Sequence, residues 1–195
     1  MKCPLEGMVA GLDEAGRAPL AGPVISSCVV WRGFPGTKEK VNDSKLLSAA
    51  ERERMFSWII DNAYRVGVGA ASPEEIERLN IHKASLLSME RAVRNTGLAP
   101  DVLLVDGLFG LKSYPHSAPL VKGDRKCFFI ASASIIAKVV RDRIMDFYEA
   151  RYPGYAFKKH KGYPTPEHRR AIEEHGLTPI HRRTFKGVRE HAFFG

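Results

Sequence analysis

The stretch that decides the fold of this chain is residues 8–23, which read MVAGLDEAGRAPLAGP. Its apolar start is typical of a buried strand, and the glycines and prolines that follow mark where that strand ends. Asp13 and Glu14 stand side by side at this point. Adjacent carboxylates repel each other, and a divalent cation, which prefers carboxylate oxygens, is the simplest partner for both. Neighbouring strand residues face opposite ways, so both acids serve one site only if the chain bends after Asp13, which Gly16 makes cheap, or if Glu14 reaches a second ion. The alternative is a solvated turn.

Composition favours a globular protein with a polyanionic partner. The 195 residues suffice for one core and one domain with a small appendage. Apolar residues make up 44% and charged residues 27% of the chain, as in ordinary globular proteins. The formal net charge of +8 favours nucleic acid as a partner before a membrane. A merely basic protein is the alternative.

Cysteine usage and the apolar segments bear on the compartment. Cys3, Cys28 and Cys127 form no Cys-x-x-Cys pair, which favours a reducing compartment and argues against zinc. Residues 1–4 show no apolar targeting region, and the apolar-rich run 128–140 is too short to span a bilayer. We therefore expect a cytoplasmic, monomeric protein without membrane contact.

The order of apolar runs and helix signals predicts an α/β fold. Strands are predicted over 8–13, 22–31, 64–70, 102–105 and 120–121, with irregular chain at 108–119. Helices are predicted over 48–62, 72–95 with a break near Asn80, 129–151 and 165–176. The first three strands suggest an antiparallel meander, and the fourth suggests a parallel strand that arrives after a helical crossover. The result is a mixed sheet with helices on its faces.

Acids follow three of the predicted strands. Asp106 and Asp124 each come after an apolar run, as Asp13 does. Ligands collect at the carboxyl ends of strands in α/β sheets, so four carboxylates, those of Asp13, Glu14, Asp106 and Asp124, would converge. Such a cluster is unfavourable without cations, and oxygen-only ligands predict magnesium or manganese. Two such ions about 4 Å apart are a known device for displacement at phosphorus. Four unrelated loop acids are the alternative.

Several segments resemble the type 2 ribonuclease H family, ribonuclease HII. The matching segments are residues 11–24 (GLDEAGRAPLAGPV), 43–48 (DSKLLS), 105–107 (VDG), 122–124 (KGD), 131–142 (ASASIIAKVVRD), 160–165 (HKGYPT) and 177–182 (LTPIHR). The resemblance covers nearly the whole chain. It implies a ribonuclease H-like catalytic domain over 1–152, with a mixed five-stranded sheet, and a helical C-terminal appendage over 153–195 that contacts substrate. The related ribonuclease HIII family carries a long N-terminal extension, and seven residues precede the first strand here, so ribonuclease HII is preferred.

The resemblance implies an endonuclease that cleaves RNA in RNA:DNA hybrids and at single ribonucleotides in duplex DNA, leaving 5′-phosphate and 3′-hydroxyl ends. It implies that the four acids hold two Mn²⁺ or Mg²⁺ ions. Gly16-Arg17-Ala18 resembles the Gly-Arg-Gly segment whose main chain reads the 2′-hydroxyl, the group that separates RNA from DNA. Tyr163 resembles the tyrosine that packs on the neighbouring sugar.

Two departures from the family pattern concern substrate binding. Ala18 replaces the usual glycine, which costs about 1–2 kcal/mol of strain if the position needs a positive φ and otherwise narrows the approach of the sugar. Leu46 replaces a common second lysine. We expect altered discrimination and weaker binding, with the metal chemistry intact.

Basic residues near these motifs keep two interpretations each. Lys45 is a phosphate contact or a solvated loop lysine. Ser134, Lys138 and Arg141 share one helix face, which follows a phosphate backbone or is simply solvated. Asp142 is expected to pair with Lys138 rather than to ligate metal.

The later part of the chain keeps similar alternatives. Aromatic and basic residues alternate over 148–163, which suits nucleic acid, but the helical spacing of the tyrosines at 148, 152 and 155 favours a core. Asn80 and His82 lie between two predicted helices. A helix junction held by local hydrogen bonds is favoured there over a contact with a nucleic-acid strand. Residues 181–183 either close over substrate or form a solvated tail. A junction resolvase and a catalytically silent nucleic-acid binder are the competing functions.

Overall fold

Five strands and six α-helices are present in residues 7–37 and 41–192, the part of the chain that the computed structural model describes. In chain order they are β1 (Met8–Ala15), β2 (Val24–Arg32), α1 (Ala49–Asn62), β3 (Arg65–Ala71), α2 (Pro73–Leu79), α3 (Ile81–Asn95), β4 (Val102–Asp106), β5 (Ser117–Leu120), α4 (Phe128–Arg151), α5 (Phe157–His160) and α6 (Pro166–His175). Short 3₁₀ turns occur at Gly123–Arg125 and Arg189–His191. Cys3 and the N-terminal residues 1–4, on which the compartment prediction partly depends, lie outside the described residues.

The strands form one mixed sheet in the order β3-β2-β1-β4-β5. The pairs β1–β2 and β2–β3 are antiparallel, whereas β1–β4 and β4–β5 are parallel. The predicted five-stranded mixed sheet is confirmed. Leu12 of β1 pairs with Val105 of β4, so Asp13 and Asp106, the next residue on each strand, emerge at the same sheet edge.

Helices cover both sheet faces. The cluster that contains Phe129, Ile130 and Ile136 of α4 joins Met55 and Ile59 of α1 over one face. Apolar residues of α3 cover the other face. Gly11 allows α4 to approach β1 closely, because a Cβ at this position would overlap the carbonyl group of Phe129.

Two element predictions are wrong in detail. The fifth strand is Ser117–Leu120 rather than 120–121, and a polar, proline-containing edge strand carries little sequence signal. The single turn α5 was not predicted, and it starts after Ala156, which has a φ of 58°. The junction at Asn80 is confirmed, since its side chain accepts hydrogen bonds from the N–H groups of His82 and Lys83.

The segment after α4 packs back on the loop between β1 and β2. The N–H groups of Leu20 and Gly22 donate to the carbonyls of Gly162 and Ile180, both at 2.8 Å. Tyr155 is buried, and Tyr148 and Tyr152 pack against the same cluster, so the core interpretation of these tyrosines is confirmed. The division of the chain at 152/153 stays a prediction. Within the described residues, no helix is both long and apolar enough to cross a membrane.

Candidate active site

Three carboxylates meet at the sheet edge. Asp13 lies near the carboxyl end of β1, which continues to Ala15 rather than ending at Asp13 as predicted, Asp106 ends β4, and Asp124 lies in the turn that follows β5. One oxygen from each lies within 4.8 Å of the others, and we call this group the three-acid cluster. The N–H of Gly123 donates to Oδ1 of Asp106 at 2.7 Å, which ties two of the segments together. The strand ends thus converge as the sequence predicted.

The three-acid cluster is electrostatically unfavourable on its own. Burial raises the pKa of Asp13 well above its usual value, and the nearby charges of Glu14 and Asp106 raise it further. Burial also raises the pKa of Asp106. Oxygen-only donors at this spacing fit a hard divalent cation, which would relieve the repulsion. The cluster is therefore a candidate metal site.

Glu14 lies outside this group of three. Its Oε1 accepts a hydrogen bond from Nη1 of Arg17 at 3.2 Å, and its own N–H donates to Oδ1 of Asp13 at 2.7 Å. Burial raises the pKa of Glu14 despite the opposing charge of Arg17. Because strand neighbours face opposite sides, Glu14 stands beside the cluster rather than in it. Its role as a metal ligand stays a prediction.

A cavity of about 270 Å³ adjoins the acids. Its walls include every residue that was individually predicted to bind substrate. Its lining consists of Asp13, Glu14, Ala15, Gly16, Arg17, Ala18, Ser44, Lys45, Asp106, Ser134, Lys138, Arg141 and Tyr163. Asp124 reaches the site through the three-acid cluster. The individual roles of these residues stay predictions.

The loop that carries Lys45 is fixed by a residue that sequence analysis did not single out. Asp43 is fully buried, and it accepts hydrogen bonds from the N–H of Lys45 at 2.9 Å and from Nε of Arg125 at 3.0 Å. Nζ of Lys45 lies 3.5 Å from Oδ2 of Asp124 although its side chain is 71% exposed. Asp43 opens the quoted DSKLLS segment, which was the available signal.

The three residues predicted to share one face of α4, Ser134, Lys138 and Arg141, make different contacts. Ser134 lies 3.0 Å from the hydroxyl of Ser44, and Nζ of Lys138 donates to Asp142 at 2.5 Å, which confirms that ion pair. Arg141 follows neither predicted alternative. Its guanidinium is buried and donates to the carbonyls of Ala21, Pro23 and Lys161 at 3.0–3.1 Å. Burial lowers the pKa of Arg141 to about 10.

The backbone of the 16–18 loop removes one of the two interpretations of Ala18. Gly16 has a φ of +98°, whereas Ala18 is not among the residues of the described chain with positive φ. The strained-alanine alternative is therefore wrong. The Ala18 methyl sits on the exposed rim of the cavity, where it can only narrow the approach to the loop.

A chain of buried imidazoles supports Tyr163. Nδ1 of His168 lies 2.9 Å from the carbonyl oxygen of Tyr163, and Nε2 of His168 lies 3.1 Å from Nε2 of His181. Nδ1 of His181 accepts from the N–H of Thr178 at 3.0 Å. These partners require that His181 donates to His168 and that His168 donates to Tyr163, with both rings neutral. Burial lowers the pKa of His168 to about 4 and that of His181 to about 3.

This imidazole chain predicts acid-sensitive stability. The pKa of histidine in an unfolded chain is about 6.5. As the pH falls, the unfolded chain therefore takes up protons before the folded protein does. The stability that is present above pH 6.5 is lost as the pH falls toward 4. When the pH is lowered from 7.5 to 5, the protonation of His168 alone should reduce the free energy of unfolding by about 2 kcal/mol. Thermal unfolding of the wild type and of His168→Gln should show a shallower pH dependence in the variant.

The residues that pack around His168 reinforce its low pKa, and an exposed histidine elsewhere serves as the control. The ring of His160 stacks on it at 4.5 Å, Phe157 packs on its edge, and the positive charge of Arg169 is near. His175→Gln changes an exposed imidazole and should keep the wild-type pH slope. A His168→Gln slope equal to that of the wild type would contradict the assignment.

Comparison with known proteins agrees with this geometry. The family model for Ribonuclease HII matches residues 10–188. Ribonuclease HII of Thermotoga petrophila is 49% identical over 94% of this chain and 75% of its own length. The ribonuclease H2 from Pyrococcus horikoshii OT3 superposes with a TM-score of 0.81 at 29% identity, covering 94% of this chain and 96% of that one. Bst-RNase HIII in complex with Mn²⁺ shares the fold, with a TM-score of 0.71 at 18% identity over 97% of this chain and 70% of that one.

A mixed five-stranded sheet with a carboxylate cluster at the ends of its two central parallel strands defines a nuclease of the ribonuclease H-like class. Such enzymes hydrolyse phosphodiester bonds. The chain belongs to the ribonuclease HII family, and its activity is that of an endoribonuclease.

Proposed function

We propose that this enzyme cleaves RNA in RNA:DNA hybrids and on the 5′ side of single ribonucleotides embedded in duplex DNA, leaving 5′-phosphate and 3′-hydroxyl ends. One observation carries the proposal: a single cavity joins the three-acid cluster to the 16–18 loop and to Tyr163. A phosphate next to the acids would therefore place its sugar against that loop.

The donor set supports a two-metal mechanism with Mn²⁺ or Mg²⁺. Asp13, Asp106 and Asp124 offer oxygens at metal-ligand spacing, and Glu14 lines the same cavity. When bound, two such ions activate water and stabilise the charge that develops on the attacked phosphate. The solved complex of Bst-RNase HIII, which shares the fold, contains Mn²⁺.

The cavity walls supply recognition. The backbone of Gly16, Arg17 and Ala18 would read the 2′-hydroxyl, and the ring of Tyr163, which is 39% exposed, would pack on the neighbouring sugar. Lys45, Lys138 and Ser134 lie where they could contact phosphates. Because lysine contacts to phosphate release counterions, binding should weaken as salt rises.

The decisive test compares two duplexes that differ by one hydroxyl. The wild type should cut a duplex with one embedded ribonucleotide at its 5′ side in Mg²⁺ or Mn²⁺, and should leave the same duplex with only deoxyribonucleotides intact. Cleavage of both duplexes, or of a four-way junction alone, would favour a junction resolvase. Binding without cleavage in either metal would favour a silent nucleic-acid binder.

Ala18→Gly should raise activity on the single-ribonucleotide duplex. Removing the methyl widens the approach to the loop, and a gain of about 1 kcal/mol corresponds to a roughly fivefold higher kcat/KM. Because glycine gains freedom in the unfolded chain, the variant should also be less stable by about 0.4–1 kcal/mol. Steady-state kinetics and thermal unfolding measure both effects, and a lower kcat/KM would show that the methyl contributes to binding.

We also propose a cytoplasmic monomer in which residues 153–195 act as a substrate-contacting appendage. In the described part of the chain Cys28 and Cys127 are buried free thiols, which is compatible with a reducing compartment. Burial raises the pKa of Cys28 to about 12, so this thiol is unreactive at neutral pH.

A further inference from the structure

Arg182 is a buried cation that has no acidic partner among the residues that the structure describes. Its side chain is 0% exposed, and its guanidinium forms no ion pair with a carboxylate of the described residues. Instead it donates to the carbonyls of Gly16 at 2.6 Å, of Arg17 at 3.0 Å and of Gly22 at 2.8 and 2.9 Å. Its own backbone N–H donates to the carbonyl of Leu20 at 2.8 Å. Burying a charge against carbonyl dipoles alone is costly, so the contacts need an explanation beyond stability.

The explanation lies in peptide geometry. In a planar trans peptide the C=O and the following N–H point in opposite directions. Since the carbonyls of Gly16 and Arg17 point toward Arg182, the N–H groups of Arg17 and Ala18 point away from it. Neither N–H donates to a protein acceptor in residues 7–37 and 41–192. Both residues line the cavity beside the acids, so two donors remain for an oxygen of the substrate.

We propose that Arg182 is a positioning residue for ribonucleotide recognition, which fixes two peptide planes of the 16–18 loop so that the N–H groups of Arg17 and Ala18 face the 2′-hydroxyl of the bound ribose. This inference rests on the proposed function of the same cavity. Arg182 itself touches no substrate, because its guanidinium is buried behind the loop and donates to loop carbonyls there.

Only arginine meets this requirement. The planar fork presents several N–H donors at fixed angles and holds three carbonyls at once, whereas a lysine ammonium is a single point donor. Arg141 holds the far end of the same loop through the carbonyls of Ala21 and Pro23. The loop is therefore preorganised before substrate binds, which reduces the entropy lost on binding.

The test uses Arg182→Lys, which keeps the charge but loses the fork, with the same change at an exposed arginine, Arg94→Lys, as the matched control. The Arg94 side chain is exposed in the last turn of α3 and does not line the cavity beside the acids. Four quantities are measured for each protein: kcat and KM on the single-ribonucleotide duplex, Ki of the all-DNA duplex as a competitor, and Mn²⁺ affinity by calorimetric titration.

Arg182→Lys should lower kcat/KM on the ribonucleotide duplex about 100-fold, because misplacing a positioned group by about 1 Å has effects of this size. Its Ki for the all-DNA duplex and its Mn²⁺ affinity should stay within twofold of wild type, and Arg94→Lys should match wild type throughout. Kinetics within twofold of wild type would overturn the proposal. So would a parallel rise of KM and Ki, which indicates a purely structural role.

A measurement on the wild type keeps the proposal testable if Arg182→Lys does not fold. Amide hydrogen exchange at Arg17 and Ala18 should be fast in the free enzyme and slow in the presence of the ribonucleotide duplex, but not of the all-DNA duplex. Amides already protected in the free enzyme would overturn the proposal. If wild-type enzyme fails to cut the ribonucleotide duplex, the proposed function fails instead, so the two failures are distinguishable.

Discussion

Replacing Asp106 with asparagine should reduce cleavage of the single-ribonucleotide duplex by about a thousandfold or more, because metal-assisted charge stabilisation contributes several kcal/mol. The asparagine Oδ1 can still accept the hydrogen bond from Gly123, so the local structure should persist. Substrate binding should remain within a few-fold of wild type, since the cavity wall is otherwise unchanged. Turnover and equilibrium binding, measured side by side, separate these effects.

The same substitution should stabilise the metal-free protein. Burial raises the pKa of Asp106, so its charged form is disfavoured in the folded state, and a neutral side chain removes that penalty. We expect a higher melting temperature for Asp106→Asn in EDTA. Asp61→Asn, which neutralises an exposed acid on α1, should change neither activity nor stability. Unchanged turnover in Asp106→Asn would remove this residue from the mechanism.

Replacing Gly16 with alanine should damage both the fold and the activity. Gly16 has a φ of +98°, and a Cβ there would overlap Nε of Arg141 and lie 2.8 Å from the carbonyl oxygen of Pro23. Backbone strain of about 1–2 kcal/mol and overpacking of about 1–3 kcal/mol give a total loss of roughly 2–5 kcal/mol. Any folded protein should cleave at least 100-fold more slowly, because the shifted loop misplaces its donors.

Gly97→Ala is the matched control for strain alone. Gly97 has a φ of +68°, but nothing lies within 4 Å of a Cβ placed there. It should lose only about 1–2 kcal/mol and keep wild-type kinetics. Denaturant unfolding and steady-state kinetics of both variants decide the matter. If Gly16→Ala resembled Gly97→Ala in both measurements, the close packing of Arg141 against the loop would have no energetic weight.

Local sequence signals predicted most of the elements correctly. Ser48 and Glu51 form the capping box that starts α1, and Asn80 separates α2 from α3 because its side chain caps the N-terminus of α3. These helix starts could be predicted because the capping residue and its partner lie within one helical turn of each other in the sequence. The strand Ser117–Leu120 was misplaced because its pairing with β4, rather than any apolar alternation, makes it a strand.

The amino-acid sequence by itself determined that Asp13 and Asp106 lie near the carboxyl ends of two strands, that an acid follows at 124, and that family motifs surround them. Apolar runs, turn residues and carboxylates are properties of side chains, so they are visible in order along the chain. Only the tertiary structure decided that Glu14 stands beside the three-acid cluster and that Arg141 and Arg182 are buried. Both arginines bind backbone carbonyls more than a hundred residues away. Every residue has a carbonyl, so no pattern of side chains could show which ones a guanidinium would hold.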